Sequence, residues 1–188
     1  QKRGNMIRLG EKQKLEIVKT VDFGVYLAPR GEGEENKVLL PGKQVPEGAK
    51  IGEELEVFVY RDSKDRLIAT CAQPKLVMGQ VALLKVAQIG KIGAFLDWGL
   101  EKDLFLPFKQ QTKRVKEGEE VLVSLYIDKS DRLCATMNVY QDLKKESPYK
   151  KDDEVTGRVY LISHDFGAFV AVDDIYSALI PAKEMYGA

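Results

Sequence analysis

The stretch Gly24–Leu27, which reads Gly-Val-Tyr-Leu, returns twice along the chain in nearly the same form. It recurs as Gly-Ala-Phe-Leu at Gly93–Leu96 and as Gly-Ala-Phe-Val at Gly167–Val170, with a period of about 70 residues. That period is longer than the roughly 20 to 50 residues typical of solenoid repeats. It matches the size of one small independent domain. The chain is therefore predicted to be an array of similar small domains.

Other motifs repeat in the same order. The step Leu40–Pro41 returns at Leu106–Pro107 and, as Ile-Pro, at Ile180–Pro181. The stretch Asp65–Thr70 (DRLIAT) returns as DRLCAT at Asp131–Thr136, but the third copy has no counterpart of it. These matches predict three domains, at residues 1–73, 74–147 and 148–188, with the third truncated before its last two strands.

Short apolar runs separated by polar turns predict strands. In the first repeat they lie near residues 13–19, 25–28, 37–40, 55–60 and 67–71, and the second repeat follows the same order. Asp62–Asp65 has the composition of a hairpin turn between the fourth and fifth strands. Five short strands of this kind predict a small closed barrel. The fold class is therefore expected to be all-β, with tandem five-stranded OB-type barrels of which the third is incomplete. The segment Val139–Lys145, which ends before Ser147–Pro148, is expected to be a short helical linker.

The charge balance limits how the chain could bind a polyanion. Lys and Arg together number 29, as do Asp and Glu, so the net charge is zero. A strong, sequence-independent phosphate binder would carry a basic excess. If a nucleic acid is bound, local patches and base stacking must contribute more than bulk charge.

The remaining composition narrows the class of protein. There is one histidine, and the chain has no phosphate-binding loop, nucleophile elbow or metal-ligand cluster, so neither an enzyme nor a cofactor, metal or small-molecule substrate is expected. Cys71 and Cys134 do not form a C-x-x-C pair. With no apolar run of about 18 residues and no signal-peptide pattern, no membrane partner is expected, and a cytoplasmic location with free thiols is expected.

Two segments resemble a known family. Asp22–Tyr26 (DFGVY) and Asp165–Phe169 (DFGAF) resemble the second-strand motif of the RNA-binding domain first described in ribosomal small-subunit protein one, the S-one (S1) domain. That domain is a five-stranded OB-type barrel in which two aromatic rings flank the glycine and stack on bases. Residues three apart in a regular strand point to opposite faces, and a glycine between them allows a bulge that brings both rings to one face. The resemblance implies that the RNA-binding rings are Phe23, Tyr26, Phe95, Phe166 and Phe169.

The resemblance extends to a charged pair. The family uses an acid in the turn between strands four and five and an arginine on strand five. Asp62 with Arg66, and Asp128 with Arg132, lie at matching places. An arginine can stack on a base or contact a phosphate. The resemblance therefore implies that these four residues also belong to the RNA-binding face.

Two departures from the family pattern reduce the expected contacts. The family often has a histidine just after strand three, whereas this chain has Pro41, Pro107 and Pro181 there. In the second repeat, Ile92 replaces the first aromatic residue. The second repeat is therefore expected to bind RNA less well than the other two.

Tandem modules with proline in place of this histidine also resemble the conserved virulence factor B family. Those bacterial proteins carry several S1-like domains followed by a winged helix. The resemblance implies a post-transcriptional or translational regulator and a natural chain that continues past Ala188. Within residues 148–188, the third module is expected to be poorly ordered, to borrow strands from another copy, or to pack against the second.

Several alternatives stay open on the sequence alone. The strand rings could be barrel core instead of a stacking surface, and the Asp–Arg pairs could brace their turns. The function could be binding of single-stranded RNA, or that of an OB-fold protein-interaction scaffold that contacts the ribosome or RNA polymerase. Exposure of Phe23 and Tyr26 separates the two functions, because buried rings would weaken the case for RNA.

Overall fold

The computed structural model describes residues 6–185, and within that range it contains only strands and single turns of 3-10 helix. The first repeat forms five strands: β1 (Lys12–Val21), β2 (Gly24–Ala28), β3 (Val38–Pro41), β4 (Glu54–Arg61) and β5 (Leu67–Thr70). They close into a barrel in the order β1-β2-β3-β5-β4. The parallel pairing of Leu39 with Ile68 joins β3 to β5. The prediction of an all-β barrel is thus confirmed.

Alternate residues of the strands fill the first barrel. Leu27, Leu40 and Val59 are fully buried, and branched aliphatic residues from the other strands surround them. Because side chains alternate across a strand, the residues between these point outward. Tyr26 and Leu39 are such outward positions, and they are directly paired across β2 and β3.

The second repeat has the same strand neighbours. Its strands are β6 (Val81–Ile89), β7 (Gly93–Asp97), β8 (Leu104–Pro107), β9 (Glu120–Ile127) and β10 (Leu133–Thr136). They form one sheet in the order β10-β9-β6-β7-β8. This is the strand order of the first barrel without the pairing that joins its third and fifth strands. The tandem arrangement of five-stranded modules is thus confirmed.

The third repeat is smaller. Its strands β11 (Gly157–Ser163), β12 (Gly167–Val172) and β13 (Tyr176–Pro181) form a three-stranded antiparallel sheet. β11 lies at one edge of this sheet, where the equivalent strand β1 of the first barrel pairs with β4. The predicted incomplete third module is therefore also confirmed.

The linker before the third sheet is irregular for most of its length. The expected helix is limited to one 3-10 turn at Tyr140–Asp142. Directly after it, Lys144 donates its N–H to the carbonyl of Ile175 and accepts the N–H of Ser177, each at 2.8 Å. These backbone groups are used in a parallel bridge to β13, so they cannot continue a helix.

The third sheet packs against the second repeat. Leu122 of β9 forms a buried apolar cluster with Val139 and Leu143 of the linker and with Tyr160 and Ala171 of the sheet. Of the outcomes expected for the third module, packing against the second is the one observed.

The chain divides into two compact units. One contains the residues up to Val77 together with Gly99–Lys102 and Ile127–Leu133, and the other contains the remaining residues. No helix within residues 6–185 combines the length and apolar character needed to cross a bilayer.

A close backbone approach joins β2 to β3 in the first barrel. Gly24 has a φ of +150°, and a Cβ atom at this position would overlap the carbonyl oxygen of Leu40. Any other residue here would therefore meet both backbone strain and a clash with main-chain atoms that cannot rotate away.

Gly24→Ala should destabilise the first barrel by about 2–4 kcal/mol, because strain and overlap add. Gly48→Ala is the matched control: its φ is +80°, but its Cβ would have no atom within 4 Å. That substitution should cost only about 1–2 kcal/mol. Native-state hydrogen exchange of the slowest amides in β1–β5 measures both values. Equal losses would contradict the importance of the approach between Gly24 and Leu40.

Candidate nucleic-acid interface

The two rings predicted for the first repeat lie in contact on its surface. Tyr26 points outward from β2 because its neighbours Val25 and Leu27 are buried in the core. Phe23 lies in the turn before β2 and is 59% exposed. The ring centroids are 6.4 Å apart and the planes are nearly perpendicular, at 87°. Neither ring is buried in the core, so the structure retains the exposed aromatic pair that the sequence predicts.

Positive charge surrounds Tyr26. Lys19 is its direct cross-strand partner on β1. The Nζ atom of Lys37 lies 4.6 Å from the ring centroid, a cation–π distance. Both lysines share one acid, since Glu34 lies 3.9 Å from Lys19 and 3.6 Å from Lys37. The two lysines beside the ring therefore share a single ion-pair partner.

The Asp62–Arg66 pair braces the turn between β4 and β5. One carboxylate oxygen of Asp62 accepts the backbone N–H groups of Lys64, at 2.9 Å, and of Arg66, at 3.0 Å. The other accepts the Nε–H of Arg66, also at 3.0 Å. The turn needs Asp65 in the left-handed region, with φ of 59°. Asp62 is thus engaged within its own turn, whereas the Arg66 side chain remains 69% exposed.

The second repeat builds the same turn. Asp128 accepts the N–H groups of Ser130 and Arg132 at 2.8 and 2.9 Å, and the Arg132 Nε–H at 3.1 Å. Asp131 also has φ of 59°. Both acids therefore fit the turn-bracing alternative, and in each turn the arginine is the more exposed partner.

These hydrogen bonds lower the pKa of both aspartates. Partial desolvation opposes the effect, but the backbone N–H groups and the arginine outweigh it at Asp62 and at Asp128. Each carboxylate is therefore better stabilised in the folded state than in the unfolded chain.

The two rings predicted for the third repeat do not form a pair. Phe166 is 64% exposed and makes no ring contact within residues 6–185. Phe169 instead contacts Tyr140 of the linker at 6.2 Å and Tyr160 of β11 at 6.3 Å between centroids. The Nζ atom of Lys145 lies 3.1 Å from the Tyr140 ring centroid. The linker thus places the Tyr140 ring against Phe169, the ring that the sequence assigns to stacking, and Phe169 remains half-buried.

The second repeat contains a ring that the sequence reasoning missed. Phe95 points outward from β7, as predicted, but its closest aromatic neighbour is Phe105 on β8, at 5.4 Å between centroids. Ile92, at the position of Phe23, is 65% exposed. Phe105 stands directly before the Leu-Pro step, where the other repeats have Leu39 and Leu179. A comparison of the residue before this step would have found it.

A separate cavity of about 260 Å³ runs along β11 in the second unit. Its lining includes Leu122 and Met137 on one side and consecutive residues 158–162 on the other. The buried hydroxyl of Tyr160 has no hydrogen-bond partner within residues 6–185, and burial raises the pKa of this tyrosine. Because the lining includes residues from both faces of β11, the cavity opens along the strand's edge.

Comparison with known proteins places the chain in a family. Residues 9–72 and 78–138 each match the S1 domain family, and together these segments cover more than half of the chain. The chain therefore belongs to the S1 domain family, and the resemblance stated from the sequence is confirmed.

Similar whole proteins are bacterial. The uncharacterized protein YitL of Bacillus subtilis is 26% identical over 195 residues, which cover 97% of this chain and 63% of YitL. Conserved virulence factor B of Staphylococcus saprophyticus is 27% identical over 156 residues, covering 80% of this chain and 52% of that protein. The corresponding protein of Staphylococcus epidermidis is 23% identical over 187 residues, covering 94% and 61%. The chain thus spans less than two thirds of the length of these relatives.

A solved structure shares the fold. The crystal structure of a multidomain protein with nucleic acid binding domains from Streptococcus pneumoniae aligns with a TM-score of 0.59 and 20% identity. The alignment covers 95% of this chain and 64% of that chain. At this level of identity the likeness establishes the architecture.

Asp62 and Asp128 should titrate below the ordinary aspartate value of 3.8. A lowered folded-state pKa means that each carboxylate contributes stability above pH 3.8, and that this contribution is lost as the pH falls through the lowered value. Arg66→Ala should raise the pKa of Asp62 part of the way back and leave Asp128 unchanged. Carbon-13 NMR titration of the carboxyl groups measures both. An Asp62 pKa that does not respond would show that the guanidinium contributes nothing to the turn.

Proposed function

We propose that this chain binds single-stranded RNA, with the outer face of the first barrel as one binding site. The observation that carries the proposal is the exposed contact between Phe23 and Tyr26 beside Lys19 and Lys37. Exposed rings beside cations are the usual means by which OB-type barrels hold single strands. Membership of the S1 domain family supports this assignment.

In the proposed mode, bases stack on the two rings and the cations contact the backbone. Phe23 offers the more exposed ring, and its edge-on contact with Tyr26 leaves two differently oriented surfaces for successive bases. Lys37 lies over the Tyr26 ring, so an arriving base displaces its ammonium group toward a phosphate. Arg66 is held by Asp62 directly before β5, with most of its side chain in solvent. The barrel performs no covalent chemistry in this mode.

The names of the similar proteins suggest the biological role that we propose. The names of similar proteins include conserved virulence factor B, and the S. pneumoniae structure is described as having nucleic acid binding domains. We propose that the natural protein is a post-transcriptional or translational regulator that acts through RNA contact in the cytoplasm.

A second candidate function is that of a protein-interaction scaffold, which the third sheet favours. β11 lies at a sheet edge beside the 260 Å³ cavity. Val159, Ile162 and Leu179 are each 45–67% exposed. An edge strand with exposed aliphatic side chains can accept a strand from a protein partner. A partner such as the ribosome or RNA polymerase would then bind here, while RNA binding would be absent.

Tyr26→Ala should weaken binding of single-stranded homopolymer RNA by about 5- to 150-fold, because a stacked base contributes about 1–3 kcal/mol. Lys113→Ala removes an exposed cation that lies 2.7 Å from Glu119, and it should change the affinity less than Tyr26→Ala does. Fluorescence anisotropy with adenosine and uridine homopolymers measures both dissociation constants.

The salt dependence supplies the control. If Lys19, Lys37 and Arg66 are the main phosphate contacts, the slope of log K against log salt should be no steeper than about −2. A steep slope together with a silent Tyr26→Ala would show that charge, not stacking, holds the RNA. Absence of RNA binding by the unaltered chain would favour the scaffold.

A further inference from the structure

The second barrel carries an aromatic surface that differs from that of the first barrel. Phe95 and Phe105 are direct cross-strand partners on β7 and β8. Their centroids lie 5.4 Å apart and their planes are tilted by 36°. Both rings point outward and are partly exposed, because their chain neighbours Ala94, Leu96, Leu104 and Leu106 are buried. The first barrel pairs Tyr26 with an aliphatic residue, Leu39, at the same place.

Two glycines make room for this pair. A Cβ atom at Gly93 would lie 2.7 Å from the Phe105 ring, and one at Gly90 would lie 3.1 Å from the Phe95 ring. Side chains at either position would push the rings from their places. Because neither glycine has a side chain, the space next to the two rings stays open.

Phe108 supplies a third ring in the second barrel, where Ile92 takes the position of Phe23. In the first barrel, the N–H of Gly42 donates to the carbonyl of Phe23 at 2.9 Å. In the second barrel the equivalent bond runs from the N–H of Phe108 to the carbonyl of Ile92, at 3.3 Å. The aromatic residue is therefore the acceptor of this hydrogen bond in the first barrel (Phe23) and the donor in the second (Phe108). Phe108 is 48% exposed.

Cations accompany this surface. Lys91 precedes Ile92, and Lys109 follows Phe108, so each is next to a residue that takes part in the hydrogen bond just described. Both side chains are exposed, and neither makes an ion pair with another residue in the range 6–185. Two uncompensated cations beside exposed rings suit a nucleic-acid strand better than an apolar protein partner.

We propose that the second barrel binds the bases of single-stranded RNA on its own platform, formed by Phe95, Phe105 and Phe108, with Lys91 and Lys109 at the backbone. This inference rests on the proposed function and extends it to a second, differently built site. It replaces the sequence expectation that Ile92 makes this barrel the weakest binder. The rings at positions 105 and 108 supply the aromatic surface that the residue at 92 does not.

The test uses the full chain and homopolymer RNA of about 12 nucleotides, within the site size of one OB-type barrel. Phe105→Leu with Phe108→Ala removes two rings of the second platform, and leucine is the residue that the first barrel carries at the first of these positions. Phe23→Ala with Tyr26→Ala removes the rings of the first site. Tyr149→Ala alters an exposed ring outside both sites and should change the dissociation constant less than twofold.

The inference predicts that RNA binding persists when the first site is removed, and that Phe105→Leu with Phe108→Ala then weakens it at least about fivefold further. In the chain whose first site is removed, Phe105→Tyr should bind RNA at least about fivefold more tightly than Phe105→Leu does. If removal of the first site alone abolishes all binding, and the changes at 105 and 108 have no effect, the inference is overturned and the proposed function stands. An effect at 105 and 108 with none at 23 and 26 would support the inference and would overturn only the assignment of the first barrel's outer face as a binding site. Absence of RNA binding by the unaltered chain would overturn both.

Discussion

The close approach of two backbones is the constraint on which the three modules depend. In each module the first glycine of the second strand lies against a carbonyl of the third strand, where a Cβ atom would overlap it. The residue after the proline then donates its N–H to the residue before that glycine, at 2.9 to 3.3 Å. These contacts fix the register between the two strands. The register in turn decides which side chains fill the barrel and which point outward, because a shift of one residue would exchange the two faces. The three sets are Gly24 with Leu40, Gly93 with Leu106, and Gly167 with Ile180.

The same outward position has a different environment in each module. Tyr26 lies beside Phe23 and under the ammonium group of Lys37, so it is partly exposed and next to positive charge. Phe95 lies beside Phe105 on the neighbouring strand. Phe169 lies against Tyr140 of the linker. All three outward rings are half-buried, and each has a different aromatic neighbour. The modules therefore differ in the neighbours of this position, because the position itself is aromatic in all three.

The sequence predicted the features that depend on local pattern. Repeated motifs predicted the strands and the incomplete third module. The glycine between two aromatic residues predicted that Phe23 and Tyr26 would lie together, which they do, but the same pattern does not bring Phe166 and Phe169 into contact. Contacts that depend on register or on distant packing were not predictable in this way. Phe105 meets Phe95 only because of the pairing between β7 and β8. Phe169 meets Tyr140 because the linker, about 30 residues earlier in the chain, forms a bridge to β13 instead of a helix. The resemblance to the S1 domain family implied the residues of the proposed site but not the ring that each of them contacts.

The measurement that tests the account most directly is aromatic NMR of the full chain during titration with single-stranded RNA. Stacked bases shift the resonances of the rings that they contact. The account predicts shifts at Phe23 and Tyr26 and at Phe95 and Phe105. Phe58, which is 1% exposed, is the internal reference and should stay unchanged. RNA binding with all four of these rings unshifted, and with changes confined to charged loops, would contradict the claim that the outward rings of the barrels hold the bases.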